Sequence, residues 1–169
     1  MILSCKVEKP NYMAVEIERK FLVVCRDYQK ESYQKAYLKQ GFLNSNKNRV
    51  VRVRIQNGKG FLTVKGKSNA NGTTRFEWEK EITCNDAENL LALCEKSLIE
   101  KNRYLVKSGN HVFEVDEFLG DNLGLVVAEI ELQNEQELFK KPHWLGKEVT
   151  GKKKYYNSNL SKKPYKNWL

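Results

Sequence analysis

The sequence predicts an α+β domain that is mostly β, its strands carrying charge on one face and apolar side chains on the other. Three observations lead there. Alternation with period two recurs along most of the chain, as half-buried strands require. The charges are sorted, with Lys/Arg pairs on some strands and acidic pairs on others. Helical periodicity with a clear apolar side is confined to one central stretch. At 169 residues the chain suits one domain able to bury a core without disulfides or a structural metal.

The first expected strand, residues 15–24, sets Glu16, Glu18 and Lys20 on one face and Val15, Ile17 and Phe21 on the other. A short polar segment at 27–34, one or two helical turns, precedes a second strand over 36–43. Residues 49–56 are β-branched and place Arg52 and Arg54 opposite Val51, Val53 and Ile55. Asn57-Gly58 is a hairpin turn signal, and the partner strand, 60–67, carries Thr63, Lys65 and Lys67 in phase. After a loop-like stretch at 68–74, the strand 74–83 sorts Arg75, Glu77, Glu79 and Glu81 from Phe76 and Trp78. Lys67 and Glu81 could serve in the same face or as rim charges. Asn85-Asp86 is expected to cap a helix running to about 96, with Leu90, Leu91, Leu93 and Cys94 as its apolar side. Three strands follow: 99–106 with Lys101 and Arg103 in phase, 112–118 with Glu114 and Asp116, and 125–132 with Glu129 and Glu131. Gly120-Asp121-Asn122 turns between the last two. Segments 135–140 and 150–160 are expected to be helical. Residues 13–169 form the domain, and residues 1–12, which lack periodic pattern, an N-terminal extension expected to be dispensable.

Composition narrows the function classes. The formal net charge is +9, but residues 140–169 hold nine lysines and one glutamate of the 30 Lys/Arg and 21 Asp/Glu. The excess is a lysine-rich tail on a nearly balanced body, which argues against a nucleic-acid footprint. Cys5, Cys25, Cys84 and Cys94 show no CxxC spacing, and His111 and His143 are the only histidines, so spacing points away from zinc and toward reduced thiols. No apolar run of ~18 residues is present to span a bilayer, and no signal-peptide pattern opens the chain. A cytoplasmic protein with no membrane partner is expected.

One strand with a charged face is ordinary, since antiparallel sheets commonly wet one side. Sorting by sign over most of the strands is not, because a solvated face has no need of it. If the sheet closes, eight strands leave room for one small ligand, and the outer faces would pack against helices. A lumen with about eight Lys/Arg and as many acids cannot be dry, because desolvating an unpaired charge costs several kcal/mol. Arginine forks and lysines suit phosphate oxygens, while carboxylates without His or Cys suit Mg²⁺ or Mn²⁺. A polyphosphate with its metal satisfies both sets.

Glu16-Ile17-Glu18-Arg19-Lys20 resembles the ExExK signature of the CYTH family, also called triphosphate tunnel metalloenzymes. The rest follows in family order: Arg52 and Arg54, Lys65, Arg75 with Glu77 and Glu79, Lys101 with Arg103-Tyr104, Glu114 with Asp116, Glu129-Ile130-Glu131, Trp144, Gly146, Glu148-Val149-Thr150, and Tyr155 with Asn157. The resemblance covers residues 14 to about 160. It implies an eight-stranded antiparallel closed barrel, a triphosphate tunnel with flanking helices, and metal-dependent hydrolysis of inorganic tripolyphosphate or a related organic triphosphate. Two Mg²⁺ or Mn²⁺ ions per site are implied. Carried over, Glu16, Glu18, Glu129 and Glu131 would hold metal with Glu77, Glu79 and Asp116, and Lys20, Arg52, Arg54, Lys65, Arg75, Lys101 and Arg103 would grip phosphates. Glu16, Glu18, Lys20, Glu129 and Glu131 would be the catalytic set. Gln40-Gly41-Phe42 stands where relatives often carry tyrosine, and Gly151 to Lys154 where they show acids and an arginine. The alternatives are class IV adenylate cyclisation of ATP and a non-catalytic polyphosphate-binding module. A homodimer is compatible with the sequence.

Overall fold

The structure, a computed structural model, describes residues 14–71, 73–95 and 97–168, and of residues 14–16 only the backbone. The elements are β1 (Ala14–Val23), α1 (Tyr28–Glu31), β2 (Gln34–Asn44), β3 (Arg49–Gln56), β4 (Lys59–Gly66), β5 (Thr74–Ile82), α2 (Cys84–Ala92), β6 (Ile99–Ser108), β7 (His111–Phe118), β8 (Val126–Glu131), β9 (Leu145–Glu148) and α3 (Asn157–Leu160). The sheet order is β5-β4-β3-β2-β6-β7-β8-β1-β9, and a further β5–β1 pairing closes the first eight strands into a barrel. Every pairing is antiparallel. The closed, mostly β barrel expected from the sequence is thus present.

Closure depends on how β1 shares its edges. One edge pairs with β8 from Glu18 to Leu22. The other is divided: Ala14–Ile17 pair with β5, while Phe21 and Val23 pair with β9, past a register shift. β9 was not legible as a strand beforehand. Four residues are too few to show alternation, and they are extended because β5 leaves the second half of that edge open. At the far side, Asn57 and Gly58 take φ of 51° and 74°, the left-handed pair that a two-residue hairpin between β3 and β4 requires.

Register puts one parity of every strand inside. Glu18, Lys20 and Leu22 on β1 face Glu131, Glu129 and Val127 on β8. Arg52 and Arg54 face Phe42 and Gln40 on one side and Thr63 and Phe61 on the other. Most of the apolar core therefore lies outside the barrel. Phe21, Tyr104, Val106, Phe113, Val115, Ala128 and Ile130 pack under Tyr28, Leu132 and Trp144, and Val53 packs under Ala87 and Leu91 of α2. Among the described residues α2 covers one outer face, and the other is roofed largely by the short α1 and the segment leading into β9. Gly60 permits this docking, because a Cβ there would lie 2.6 Å from both Ala87 Cβ and the Thr83 carbonyl oxygen. A third cluster fills one end of the barrel, where Phe42, Ile99, Phe118, Leu125 and Val127 meet Val149, Tyr155 and Leu160.

Three expectations are corrected. Residues 135–140 are not helical: Glu137 accepts from the Gln133 amide and Asn134 from the Gln136 amide, so side chains take the turn's backbone donors. The segment 150–160 is helical only in pieces, a 3₁₀ turn at Lys153–Tyr155 and then α3. The cap of α2 is Thr83, whose hydroxyl accepts from the Asp86 amide at 3.0 Å, just upstream of the expected Asn85-Asp86. Residues 1–12 lie outside the described residues.

Candidate active site

The barrel encloses a cavity of about 1150 Å³ walled by alternate residues of its strands. Glu18 and Lys20 come from β1, Arg52 and Arg54 from β3, Lys65 from β4, Arg75, Glu77 and Glu79 from β5, Arg103 from β6, Glu114 from β7, and Glu129 and Glu131 from β8. Lys67 lines it too, whereas Glu81 pairs with Lys59 at 3.0 Å where both are exposed; Glu81 is a rim charge. Glu16 pairs in register with Arg75, and its side chain lies outside the described residues.

The wall is divided by sign. On the β3–β5 side, Glu79 accepts from Arg54 and Arg52 at 3.0 and 3.1 Å and from the Thr63 hydroxyl at 2.6 Å. Burial pushes its carboxyl up, yet the Thr63 hydrogen bond and the two guanidinium charges outweigh that and leave it below its ordinary value. Lys65 pairs with Glu77, which lies 3.7 Å from Arg52. Arg54 shares its surroundings with Arg52, and burial first and Arg52 second hold its guanidinium below the ordinary value. That patch would gain from an anion.

On the β1–β8 side carboxylates are opposed. Glu18 faces Glu131 across one strand pair, and Glu114 faces Glu129 across the next. Like charges directly opposite on a sheet are destabilising unless a cation lies between them. Lys20 supplies one, hydrogen-bonding Glu129 and lying 3.5 Å from Glu18, which Arg75 approaches at 3.7 Å. Burial of Glu129 raises its pKa, but Lys20, Lys101 and Arg103 drive it far below the usual carboxylate range. This is an oxygen-only donor set among fixed cations, which fits hard divalent ions such as Mg²⁺ or Mn²⁺ and offers nothing to softer ones.

Two expected site residues are elsewhere. Lys101 and Asp116, each 1 % exposed, are not in the cavity wall but beneath it. Arg103 forks onto Asp116, Nε to Oδ1 and Nη2 to Oδ2, both at 2.7 Å, and Lys101 donates to the same carboxylate. Asp116 thereby orients Arg103, which reaches Glu114 and lies 3.7 Å from Glu129.

Three polar groups in the wall lack a hydrogen-bonding partner among the described residues: the Gln40 amide, Arg54 Nε and Asn157 Oδ1. They converge from β2, β3 and α3. The tail also contributes, since Lys153, Tyr156 and Asn157 line the cavity. In the sequence Gln40 is marked only by standing where a tyrosine is common. Its burial was the missing signal, and alternation through Leu38, Gln40 and Phe42 was the available one.

The model of the CYTH domain matches residues 14–164. The chain belongs to the CYTH family. It is 50% identical over 157 residues to the inorganic triphosphatase of Acetivibrio thermocellus, covering 92% of this chain and 99% of that protein. Among solved structures, the inorganic triphosphatase NE1496 superposes with a TM-score of 0.63 at 33% identity, over 88% of this chain and 95% of the other. PH1012 from Pyrococcus horikoshii OT3, at 20% identity and a TM-score of 0.58, covers 72% and 80% and shares the fold. No helix among the described residues of this CYTH chain is long and apolar enough to cross a membrane.

Proposed function

We propose that this chain is a metal-dependent triphosphatase that hydrolyses inorganic tripolyphosphate. The observation that carries it is the division of one enclosed wall into a cationic side, Arg52, Arg54, Lys65 and Arg75, and a side of opposed carboxylates, Glu18/Glu131 and Glu114/Glu129. Likeness to two inorganic triphosphatases, at 50% and 33% identity, supports the reaction.

In this proposal Glu16, Glu18, Glu129 and Glu131 hold metal, with Glu77 and Glu79 near the phosphate-binding side. When bound, Mg²⁺ or Mn²⁺ supplies Lewis acidity, drawing charge from phosphate oxygens and acidifying water. Arg52, Arg54, Lys65 and Arg75 hold the phosphate chain, and the unpartnered Gln40 amide and Arg54 Nε donate to its oxygens. Lys20 and Arg103 face the reacting phosphoryl group and stabilise charge on the departing diphosphate, a preorganised contribution that needs no covalent nucleophile. Asp116 keeps Arg103 aimed, and Lys101 belongs to that support. Every strand of the ring comes from one chain, so the site needs no second subunit. The domain is taken as residues 13–169, in line with a family match from residue 14. The cytoplasm remains part of the proposal, on the cysteine spacing.

Incubation with tripolyphosphate, ATP and Mg²⁺ or Mn²⁺, followed by product identification, tests it. Orthophosphate and diphosphate are expected; cyclic AMP as the main product, or turnover without metal, would overturn it. Glu131→Ala should lower turnover at least about 10²-fold, the scale of losing a preorganised electrostatic group, with the melting temperature held or raised by relief of the Glu18/Glu131 opposition.

A further inference from the structure

A second donor cluster lies away from the cavity. Cys25 follows β1, Asp27 precedes α1, and His143 leads into β9; none of the three lines the tunnel. Their sequence separation hides them from any spacing rule, yet Cys25 Sγ, a carboxylate oxygen of Asp27 and one His143 ring nitrogen all lie within 4.8 Å of one another. We propose that Cys25, Asp27 and His143 form a transition-metal site suited to Zn²⁺, separate from the tunnel and joining the exit of β1 to the entry of β9.

The local geometry favours a site over a helix cap. Asp27 occupies the N-cap position of α1 but makes no side-chain capping hydrogen bond. Its Oδ2 is instead the meeting point of Cys25 Sγ at 3.4 Å and His143 Nε2 at 2.9 Å. Two protons directed at one carboxylate oxygen stand where a cation would hold all three donors. A tetrahedral ion at ordinary Zn–N, Zn–O and Zn–S lengths would set N···O near ~3.3 Å and S···O near ~3.5 Å. The S···O separation is already there, the N···O separation needs only a small opening, and the S···N separation, within 4.8 Å, compares with ~3.5 Å around such an ion.

The surroundings fix the donors in place. The Val24 amide donates to the Trp144 carbonyl at 3.0 Å, binding together the two segments that carry them, and Trp144 is fully buried. Glu31 accepts from Trp144 Nε1 at 2.9 Å with one oxygen, while its other lies 3.9 Å from His143 Nδ1. A carboxylate at the second ring nitrogen is the usual partner of a metal-ligating histidine; Glu31 stands on that side of the ring but beyond hydrogen-bond distance. A thiolate, an imidazole and one carboxylate select Zn²⁺ or its analogues over Mg²⁺, which separates this site chemically from the tunnel's all-oxygen set. The exposed side leaves a fourth position to water.

Co²⁺ titration of the full chain in excess Mg²⁺ tests the assignment. A thiolate-to-Co²⁺ charge-transfer band in the near ultraviolet, saturating at about one equivalent, is expected and should be displaced by Zn²⁺. Cys25→Ser should abolish the band while leaving Mg²⁺-dependent triphosphate hydrolysis unchanged. His143→Ala, with every thiol retained, should weaken Co²⁺ binding at least about tenfold. Absence of the band in the wild type, its persistence in Cys25→Ser, or undiminished affinity in His143→Ala would overturn the site. None of these outcomes depends on what the tunnel hydrolyses.

Discussion

Three cationic nitrogens converge on Asp116, two from the Arg103 fork and one from Lys101, at a point almost wholly removed from solvent. The fork already neutralises the carboxylate, so Lys101 is a second cation sharing one anion. Burial first, and then Arg103 against the pull of Asp116, pushes the Lys101 ammonium down to about 8. The consequences for the two partners differ in sign. Asp116→Asn strands two buried cations and should cost about 3–5 kcal/mol of stability in denaturant unfolding. Lys101→Met removes the surplus charge at similar volume and should be neutral or stabilising at pH 7 by about 1 kcal/mol or more. The pH dependence follows the same arithmetic. An unfolded lysine titrates near ~10.4, so between about 8 and that value the unfolded chain holds more protons and wild-type stability rises with pH. Lys101→Met should lose that alkaline rise; a parallel profile in mutant and wild type would sink the assignment.

At the scale of elements, the barrel turns on β1, whose second half is held by β9 rather than β5. Arg19 secures the contact by a fork onto Glu148, at 2.8 and 2.5 Å, and its guanidinium lies 5.5 and 5.2 Å from the Phe21 and Phe139 rings. β9 in turn leads to Val149 and Thr150, which clamp the backbone of Lys20: Val149 N donates to its carbonyl at 2.8 Å, and its amide donates to the Thr150 hydroxyl at 3.0 Å. Arg19→Ala should therefore cost about 1–2 kcal/mol, most of it lost packing and a partly exposed pair, and should lower kcat/KM several-fold through Lys20. An unchanged melting temperature with normal kinetics would remove β9 from the machinery. Most of the eight barrel strands were legible because they carry a charged face with period two, which apolar strands buried on both sides would not show; β2, with Leu38, Gln40 and Phe42 inward, carries none there. β9 was not, since it exists by virtue of an edge left open by β5. The depth of Lys101 and Asp116 was equally hidden: alternation puts both on the inward face, but only the packing around them shows that they lie below Arg103 rather than beside it.

The whole molecule inverts the usual arrangement, with most apolar clusters outside the sheet and nine Lys/Arg with seven Glu among the residues that line its interior. Such an interior recognises a guest by charge, and what it omits decides between guests. Phe42 and Tyr156 are its phenyl and phenol rings among the described lining residues; Phe42 belongs to the apolar end cluster, and the Tyr156 ring lies 5.8 Å from Lys20 Nζ. A purine slot needs a free stacking face together with donors and acceptors for the base edge. The unpartnered groups here, among the described residues, are Arg54 Nε, the Gln40 amide, beside Arg54 in register and only 1 % exposed, and Asn157 Oδ1, placed for phosphate oxygens and bound water rather than for a base. The His111 imidazole also lines the cavity but pairs with Glu137 and packs against Phe139; specificity requires contacts that the competitor lacks, and ATP brings an adenosine for which the described lining residues offer no free stacking face while adding bulk to one end of the phosphate chain. Tripolyphosphate should therefore exceed ATP in kcat/KM by at least about tenfold, the discrimination expected from one unmatched group. Gln40→Ala should lower kcat/KM for both substrates by a similar factor, because its amide serves the shared phosphate chain. Parallel initial-rate measurements decide it: equal or higher kcat/KM for ATP, or a Gln40→Ala loss confined to ATP, would mean that these groups read a base after all.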